Sequence, residues 1–415
     1  LRALGGFGKS ALSWYWLTHD VDPKVWKKVV WWSFYADDAS FNSFLKETLL
    51  DFGVHNADKM NPRQQTNILL NTLQQPGILL ILDGFERVLR AYGSMSAAYQ
   101  GDEVDGGRND SSRDCINPYA DAFLQGIGAF GYLMRSKVLM STRLTPRAVE
   151  RYGQFLQGVR EEELQAMHKD DAIAFFKAQG IRGTRAEIEA ACAPYEYHPL
   201  SLRVLAGYIL GNRRKPNDIS VARDLNITND IVQNKHHVLD AAFNSLDAEE
   251  RKLLGSIACF RAPMSYEALQ SITGRGDPSG DDDVVEIQGD PSLQEGESGL
   301  SKTGRPYNLD DHLDQLEERG LLHWDKADNK YDLHPIVRRY AYERLTAPDR
   351  MAAHTRLRDY FAAVPENEKI ESLNDLAPVI ELYHHMVRAG QFTAACDLYY
   401  ERLVKTVYYQ FGAYQ

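Results

Sequence analysis

Ala3-Leu4-Gly5-Gly6-Phe7-Gly8-Lys9-Ser10-Ala11 runs directly into an apolar helical stretch, residues 11–17, and this junction decides how the chain is read. A Gly-rich turn entering a helix N-terminus aims successive backbone N–H groups at phosphate oxygens. A lysine at its end reaches the β- and γ-phosphates, and the hydroxyl of the next residue ligates Mg²⁺. Gly5, Gly6, Phe7, Gly8, Lys9, Ser10 and Ala11 are therefore the candidate nucleotide-binding residues, with Ser10 also a candidate metal ligand. Set against the pattern GxxxxGK[ST], the first Gly falls on Ala3, so the match is AxxxxGKS. The bland reading of the same residues is a Gly-rich turn before an ordinary core helix.

Moving outward, Ile78-Leu79-Leu80-Ile81-Leu82-Asp83-Gly84-Phe85-Glu86 is a continuous apolar run ending in acids. A buried strand beside a phosphate loop delivers a carboxylate from its C-terminal end to the Mg²⁺ shell, and a second acid polarises the attacking water. Asp83 suits the first role and Glu86 the second. Lys137-Val138-Leu139-Met140-Ser141-Thr142-Arg143 is a further buried strand, and Arg143 at its end is placed to sense the γ-phosphate. Its bland reading is a strand-end arginine in solvent. Strand-like residues 29–36, 78–83 and 137–142 alternate with helical residues 41–52, after Ser40 as N-cap, and 64–75, after Pro62. Such alternation predicts a parallel sheet with crossover helices. Residues 101–117 hold Gly, Asp, Ser and Arg with little that is apolar, and read as a mobile loop.

The fold class expected is multidomain α/β plus α. Residues 1–165 make the sheet domain, and 166–231 a small helical domain with helices over 170–179, 185–192 and 200–210. Residues 232–348 predict a winged helix: helical patterns at 237–260 and 310–345, with short strand runs at 321–324 and 330–333. Its middle, 274–306, is Gly-rich and acidic, the composition of a disordered insert. Asp281, Asp282 and Asp283 lack the central Gly and terminal Glu of an EF-hand, so calcium is not expected there. Residues 349–415 read as a helical linker and a first tetratricopeptide-like repeat, with helices near 351–363 and 373–388 and a helix-turn-helix pair at 376–390 and 392–404.

Composition closes off several classes. The 415 residues are 44% hydrophobic and 25% charged, which is globular. With 47 Lys+Arg against 58 Asp+Glu the net charge is −11, so nucleic acid and anionic lipid are unfavoured partners. Cys115, Cys192, Cys259 and Cys396 form no CxxC pair, consistent with a reducing, cytoplasmic setting and no zinc framework. No apolar run approaches the roughly 18 residues of a membrane span. There is no HExxH and no GxSxG. The adjacent pairs His236-His237 and His384-His385 fall on predicted helices, where neighbours diverge by about 100° and chelate one ion poorly. Trp14, Trp16, Trp31 and Trp32 read as core, and the chain, beginning at Leu1, reads as a fragment.

With these motifs in place, the chain resembles the STAND class of signal-transduction NTPases, which contains the NB-ARC and NACHT proteins and bacterial NLR-like members. Residues 3–10 look like its Walker A, residues 80–86 like its Walker B, and Ser141-Thr142-Arg143 like its sensor-1 strand end. Tyr197-His198-Pro199-Leu200-Ser201-Leu202 resembles the GLPL motif, whose proline packs near the adenine, with His198 in place of Gly. Tyr331-Asp332-Leu333-His334-Pro335-Ile336-Val337-Arg338 is similar to the winged-helix MHD segment, whose histidine touches the ADP β-phosphate; Pro335 stands where the motif has Asp. The resemblance implies ATP/ADP and Mg²⁺ as cofactors, Pro199 and His334 as further nucleotide-binding residues, and weak ATPase activity used as a switch. It implies an ADP-bound closed monomer and an ATP-bound oligomer, with a trigger sensed through C-terminal repeats and a linked N-terminal effector outside this chain. Antiphage defence is the expected output. A transcriptional regulator using Arg338, Arg339 and Arg344 as a DNA-reading face, or a nucleotide-inactive scaffold, are the alternatives.

Overall fold

In the computed structural model, residues 1–35, 39–93, 111–131, 135–225, 231–273, 308–326, 328–365, 370 and 373–404 are described. The insert at 274–306 and the acidic run within it lie outside them. Strand β1 is Lys28–Ser33, β2 Ile78–Asp83 and β3 Lys137–Met140, in the order β1-β2-β3. Both pairings are parallel, with Val29 opposite Leu79 and Leu80 opposite Val138. β2 is buried along its whole length, as its unbroken apolar run requires of a central strand. The sheet continues past β3 through residues 1–3. Leu1 donates its amino group to Met140 O at 2.7 Å, Ala3 N donates to Thr142 O at 3.3 Å, and Arg2 N donates to Glu162 O at 2.8 Å. The stub before the phosphate loop thus lies between the end of β3 and residues 162–164.

Helices α1 (Lys9–His19), α2 (Phe41–Asp51), α3 (Pro62–Leu73) and α4 (Pro118–Phe130) complete this part. Ser40 Oγ accepts from Ser43 N to cap α2, and Asn61 forms a capping box with Gln64 at the start of α3. Both signals are local and legible. Phe34, Phe41, Phe44, Phe85 and Phe123 interlock with ring centroids 5.4–6.1 Å apart. α4 carries two glycines and no helix was expected there; tertiary crowding by Leu70 and Leu156 explains why both stay small. Residues 111–117 are a correction: Arg113 is buried, bonded to Glu150 and to Thr145 O at 2.7 Å, and Cys115 bridges Leu89. Residues 101–110 are outside the described chain.

The tryptophans are a second correction. Trp14 is 55% exposed and Trp16, Trp31 and Trp32 are only half-buried. Of α1 only Lys9 and Ser13 are buried, because the helix turns its phosphate-loop end inward and leaves much of its apolar face exposed.

A hairpin of β4 (Glu150–Arg151) and β5 (Gln154–Phe155) leads to α5 (Lys169–Ala178), α6 (Arg185–Cys192) and α7 (Pro199–Leu210). Next come α8 (Ile231–Ser245), α9 (Ala248–Ile257), β6 (Met264–Ser265), α10 (Tyr266–Ile272), α11 (Leu309–Glu318), β7 (His323–Asp325), β8 (Lys330–Asp332) and α12 (Pro335–Arg344). The expected pair of strands is a sheet of three, ordered β6-β8-β7; β6 spans two residues and has no periodicity to detect. The chain continues through α13 (Ala347–Ala363), α14 (Ala377–Arg388) and α15 (Phe392–Leu398). Among the described residues no helix is long and apolar enough to cross a membrane. All four cysteines are free thiols.

One apolar core runs from Ala172 on α5 to Leu357 on α13, so the boundary expected near residue 231 does not divide the packing. Gly207 is a tight point in it. A Cβ there would stand 2.3 Å from Arg319 O, a backbone atom that cannot step aside. Gly→Ala inside a helix ordinarily stabilises by about 1 kcal/mol. At position 207 the sign reverses: Gly207→Ala is expected to destabilise by about 1–3 kcal/mol, read as a lowered urea midpoint. A raised midpoint would show that α7 can move off the 319–320 turn.

Candidate functional site

The site is assembled at the C-terminal ends of β2 and β3. Asp83 ends β2, and its Oδ1 accepts from Ser10 Oγ at 2.8 Å and from Ser141 Oγ at 2.6 Å. Gly84 follows with φ +72°, where a Cβ would fall 2.4 Å from the Tyr35 ring, so this turn admits glycine alone. Ser141 Oγ also accepts from Gly84 N at 2.9 Å, tying the two strand ends together. Burial pushes the Asp83 carboxyl above its usual range, partly offset by the Ser141 and Ser10 hydroxyls. A bound cation would reverse that push.

Lys9 is buried, and its Nζ donates to Ala3 O at 2.8 Å and to Leu4 O at 3.1 Å. An ammonium inside a glycine turn, beside a hydroxyl–carboxylate pair, is the donor set that a Mg²⁺–triphosphate needs. Gly6 and Gly8 both have φ +79°. At Gly6 a Cβ would approach Leu200 Cβ to 2.8 Å and His198 Cε1 to 2.9 Å, so the loop is pressed against residues 198–200.

His198 is the residue that sequence reasoning passed over, seeing in it only a departure from glycine. Its Nδ1 accepts from Ser201 N at 3.3 Å, capping α7 ahead of Pro199 at the first helical position. That bond leaves Nε2 to donate to Gly5 O at 3.2 Å. Leu200 N donates to Gly6 O at 3.1 Å, and the Phe7 ring meets His198 edge-on at 4.7 Å. The helical part thus grips the phosphate loop from outside. His198→Ala is expected to cost about 0.5–2 kcal/mol through the lost cap, and His198→Asn to recover part of it; thermal unfolding of the two variants measures this.

Glu86 is fully buried. Its Oε1 accepts from Tyr35 OH at 2.5 Å and lies 2.9 Å from Arg143 Nε, while Oε2 makes no hydrogen bond to the described residues. Arg143, itself buried, stacks its guanidinium 5.7 Å from the centre of the Tyr92 ring. Burial and the Glu86 charge push the Tyr35 phenol well above its usual value. The candidate base and the candidate phosphate sensor are therefore paired with each other.

His334 arrives from the far end of the chain. It caps α12 by accepting from Ile336 N at 3.2 Å, with Pro335 at the first helical position, where its missing N–H costs nothing. Burial, then the nearby Arg143, His198, Lys9 and Arg203, hold its imidazole well below the usual value. The structure thus brings Lys9, Ser10, Asp83, Glu86, Arg143, His198 and His334 to one place. Arg338 is buried against Asp332, Arg339 bonds Glu343 at 2.8 Å, and Arg344 bonds Asp240, so each has an internal acidic partner.

No family model and no curated protein matches this chain. Among solved structures, the chain is similar to the Signal Transduction ATPase with Numerous Domains (STAND) protein with a tetratricopeptide repeat sensor from Pyrococcus horikoshii, with a TM-score of 0.56 and 15% identity. That match covers 98% of this chain and 48% of the other, so the chain spans about half the length of that protein. A Walker-type ATPase of Pyrococcus abyssi aligns at a TM-score of 0.32 and 14% identity, over 82% of this chain and 89% of that one. The first likeness shows a shared fold over nearly the whole chain; the second is too slight to bear weight.

Proposed function

We propose that the chain is the ATP/ADP-dependent core of a STAND-type signal-transduction switch. One observation supports the reading: a buried lysine in a glycine turn lies beside the Ser10–Asp83 hydrogen bond, and His334 from α12 is close enough for its imidazole to feel the charges of Lys9 and Arg143. In this reading Lys9 and the N–H groups of residues 5–11 hold the phosphates, Ser10 and Asp83 hold Mg²⁺, and Pro199 lies by the base. Glu86 and Arg143 serve hydrolysis, and the nucleotide supplies the phosphoanhydride whose cleavage resets the switch. Residues 1–165, 166–231 and 232–348 act as nucleotide, helical and winged-helix units, and 349–415 begins a tetratricopeptide-like sensor.

A ligand shifts a two-state equilibrium only through contacts that differ between the states. His334 would supply such a contact, made in the ADP-bound closed monomer and lost in an ATP-bound oligomer. A trigger acting on the repeats would favour opening, a linked effector would respond to clustering, and antiphage defence is the output this reading favours. The first test is to denature purified protein and identify any released nucleotide, then compare sizes by light scattering in ADP and in a non-hydrolysable ATP analogue. Absence of nucleotide, with no size change in either ligand, would sink the reading.

A pH dependence follows with a definite sign. Docked, His334 stays neutral; released, it titrates near its ordinary value of about 6.5. The docked state is therefore fully favoured above about pH 6.5 and loses up to about 1.4 kcal/mol per pH unit below it, since Arg143, His198, Lys9 and Arg203 all oppose a proton there. Nucleotide-free protein taken from neutral to mildly acidic pH is expected to gain protease sensitivity. A His334→Gln variant with the same pH response would assign that response to other groups.

A further inference from the structure

α13 and α14 bury three histidines against one another. His354 on α13 and His385 on α14 are fully buried, and His384 is 3% exposed. His354 Nδ1 and His385 Nδ1 stand 2.9 Å apart, and one nitrogen of each of the three rings falls within 4.8 Å of those of the other two. Three imidazoles are a costly filling for an apolar core, because each brings two polar nitrogens.

The outward nitrogens show how the rings are set. His354 Nε2 lies 3.1 Å from the Tyr342 hydroxyl. His385 Nε2 makes no hydrogen bond to the described residues and faces Glu381 Oε2 at 3.8 Å. Glu381 is itself held by Arg261, whose Nε donates to its two oxygens at 3.0 and 3.1 Å. Imidazoles that bind metal use one nitrogen for the ion and direct the other at a carboxylate, carbonyl or hydroxyl, which fixes the tautomer and the ring. Here the two Nδ1 atoms converge while both Nε2 atoms face such groups.

We propose that His354, His384 and His385 bind a divalent transition ion of the zinc class, with three imidazole ligands and a fourth position for water or another oxygen donor. Zn–N bonds of about 2.0–2.1 Å in tetrahedral geometry put ligand nitrogens about 3.3 Å apart. The Nδ1 pair need open only by a few tenths of an ångström, and His384 closes from its side. The 2.9 Å contact needs a proton on one of the two Nδ1 atoms, and that proton would move to the same ring's Nε2, facing Tyr342 or Glu381, when both Nδ1 atoms ligate. Arg350 and Arg388 stand nearby and oppose any positive charge, while Glu381 offsets Arg261. Adjacent positions on α14 make a poor chelate by themselves; the ligand from α13 is what completes a set. Tyr342 lies on α12, so an ion here would also stiffen the helix that carries His334. A second cluster of metal-ligating groups among the described residues, Asp247, Glu250 and His312, is less apt because its two acids already form a capping box.

The test uses the full chain stripped with chelator and dialysed. Zinc is titrated by calorimetry, and Co²⁺ serves as an optical reporter of tetrahedral nitrogen ligation. About one zinc per chain is expected. His354→Gln and His385→Gln should each lower its affinity at least about tenfold, and Tyr342→Phe by about tenfold. His312→Gln should leave it unchanged. No zinc bound by the parent, or undiminished binding in both the His354 and His385 variants, overturns the proposal. If those variants fail to fold, the parent's Co²⁺ spectrum decides: tetrahedral absorption supports the site, and an octahedral spectrum refutes it.

Discussion

Lys9→Ala is expected to weaken ATP binding about a hundredfold or more. The ammonium is buried in the loop and bonded to the Ala3 and Leu4 carbonyls, so its charge is already desolvated and aimed before any phosphate arrives. Hydrogen bonds to a charged partner contribute about 1.5–3 kcal/mol each, and two phosphate contacts give about 3 kcal/mol or more, which is about two decades in Kd. The measurement is Kd for labelled ATP, with the rise in Tm on adding nucleotide as a second readout. Ser10→Ala should lose the Mg²⁺-dependent part of the affinity alone. Undiminished ATP affinity in Lys9→Ala would mean that the turn is structural and that the nucleotide is held elsewhere, whereas no ATP binding by the parent would favour the scaffold reading.

Arg143→Met is the second large effect, and it falls on stability. Glu86 is fully buried, and Arg143 is its cationic partner at 2.9 Å. Removing one partner of a buried pair leaves an uncompensated charge and costs about 3–5 kcal/mol. The double variant Arg143→Met, Glu86→Gln removes both charges and should regain most of that loss in urea unfolding. If the single variant loses less than about 1 kcal/mol, Arg143 is not needed to neutralise Glu86. Glu86→Gln alone should keep nucleotide affinity while lowering hydrolysis about a hundredfold or more, the share of a positioned acid–base group. Because Arg143 grips Glu86 in this arrangement, a γ-phosphate that recruits the arginine would also release the carboxylate.

Local chemistry was legible from the residues. The glycine turn before Lys9, the apolar run ending at Asp83, Ser40 as a cap and Pro62 at a first helical turn all act within a few residues, where backbone geometry is set by immediate neighbours. Asp83, predicted as a metal ligand, stands 2.8 Å from Ser10, predicted as the other. The readings that failed were those that depend on what covers a surface. Trp14 is apolar enough for a core, but its edge-on contact with Trp31 of β1 at 5.3 Å still leaves it 55% exposed. Residues 111–117 look like loop in composition, yet Arg113 is drawn in by Glu150 and by a carbonyl of the strand-end turn.

By itself the sequence determined the α/β character of the first part, its strands and caps, and the lysine, hydroxyl and carboxylate that a nucleotide would need. Only the tertiary structure decided the partnerships: His198 with Gly5 across 193 positions, Arg143 with Glu86, and His354 with His385 from two helices. The reason is physical. Secondary structure and caps are written in periodicities of two to four residues, whereas a buried polar group must find whichever partner the packing of distant segments brings within about 3 Å. No spacing in the chain encodes that distance.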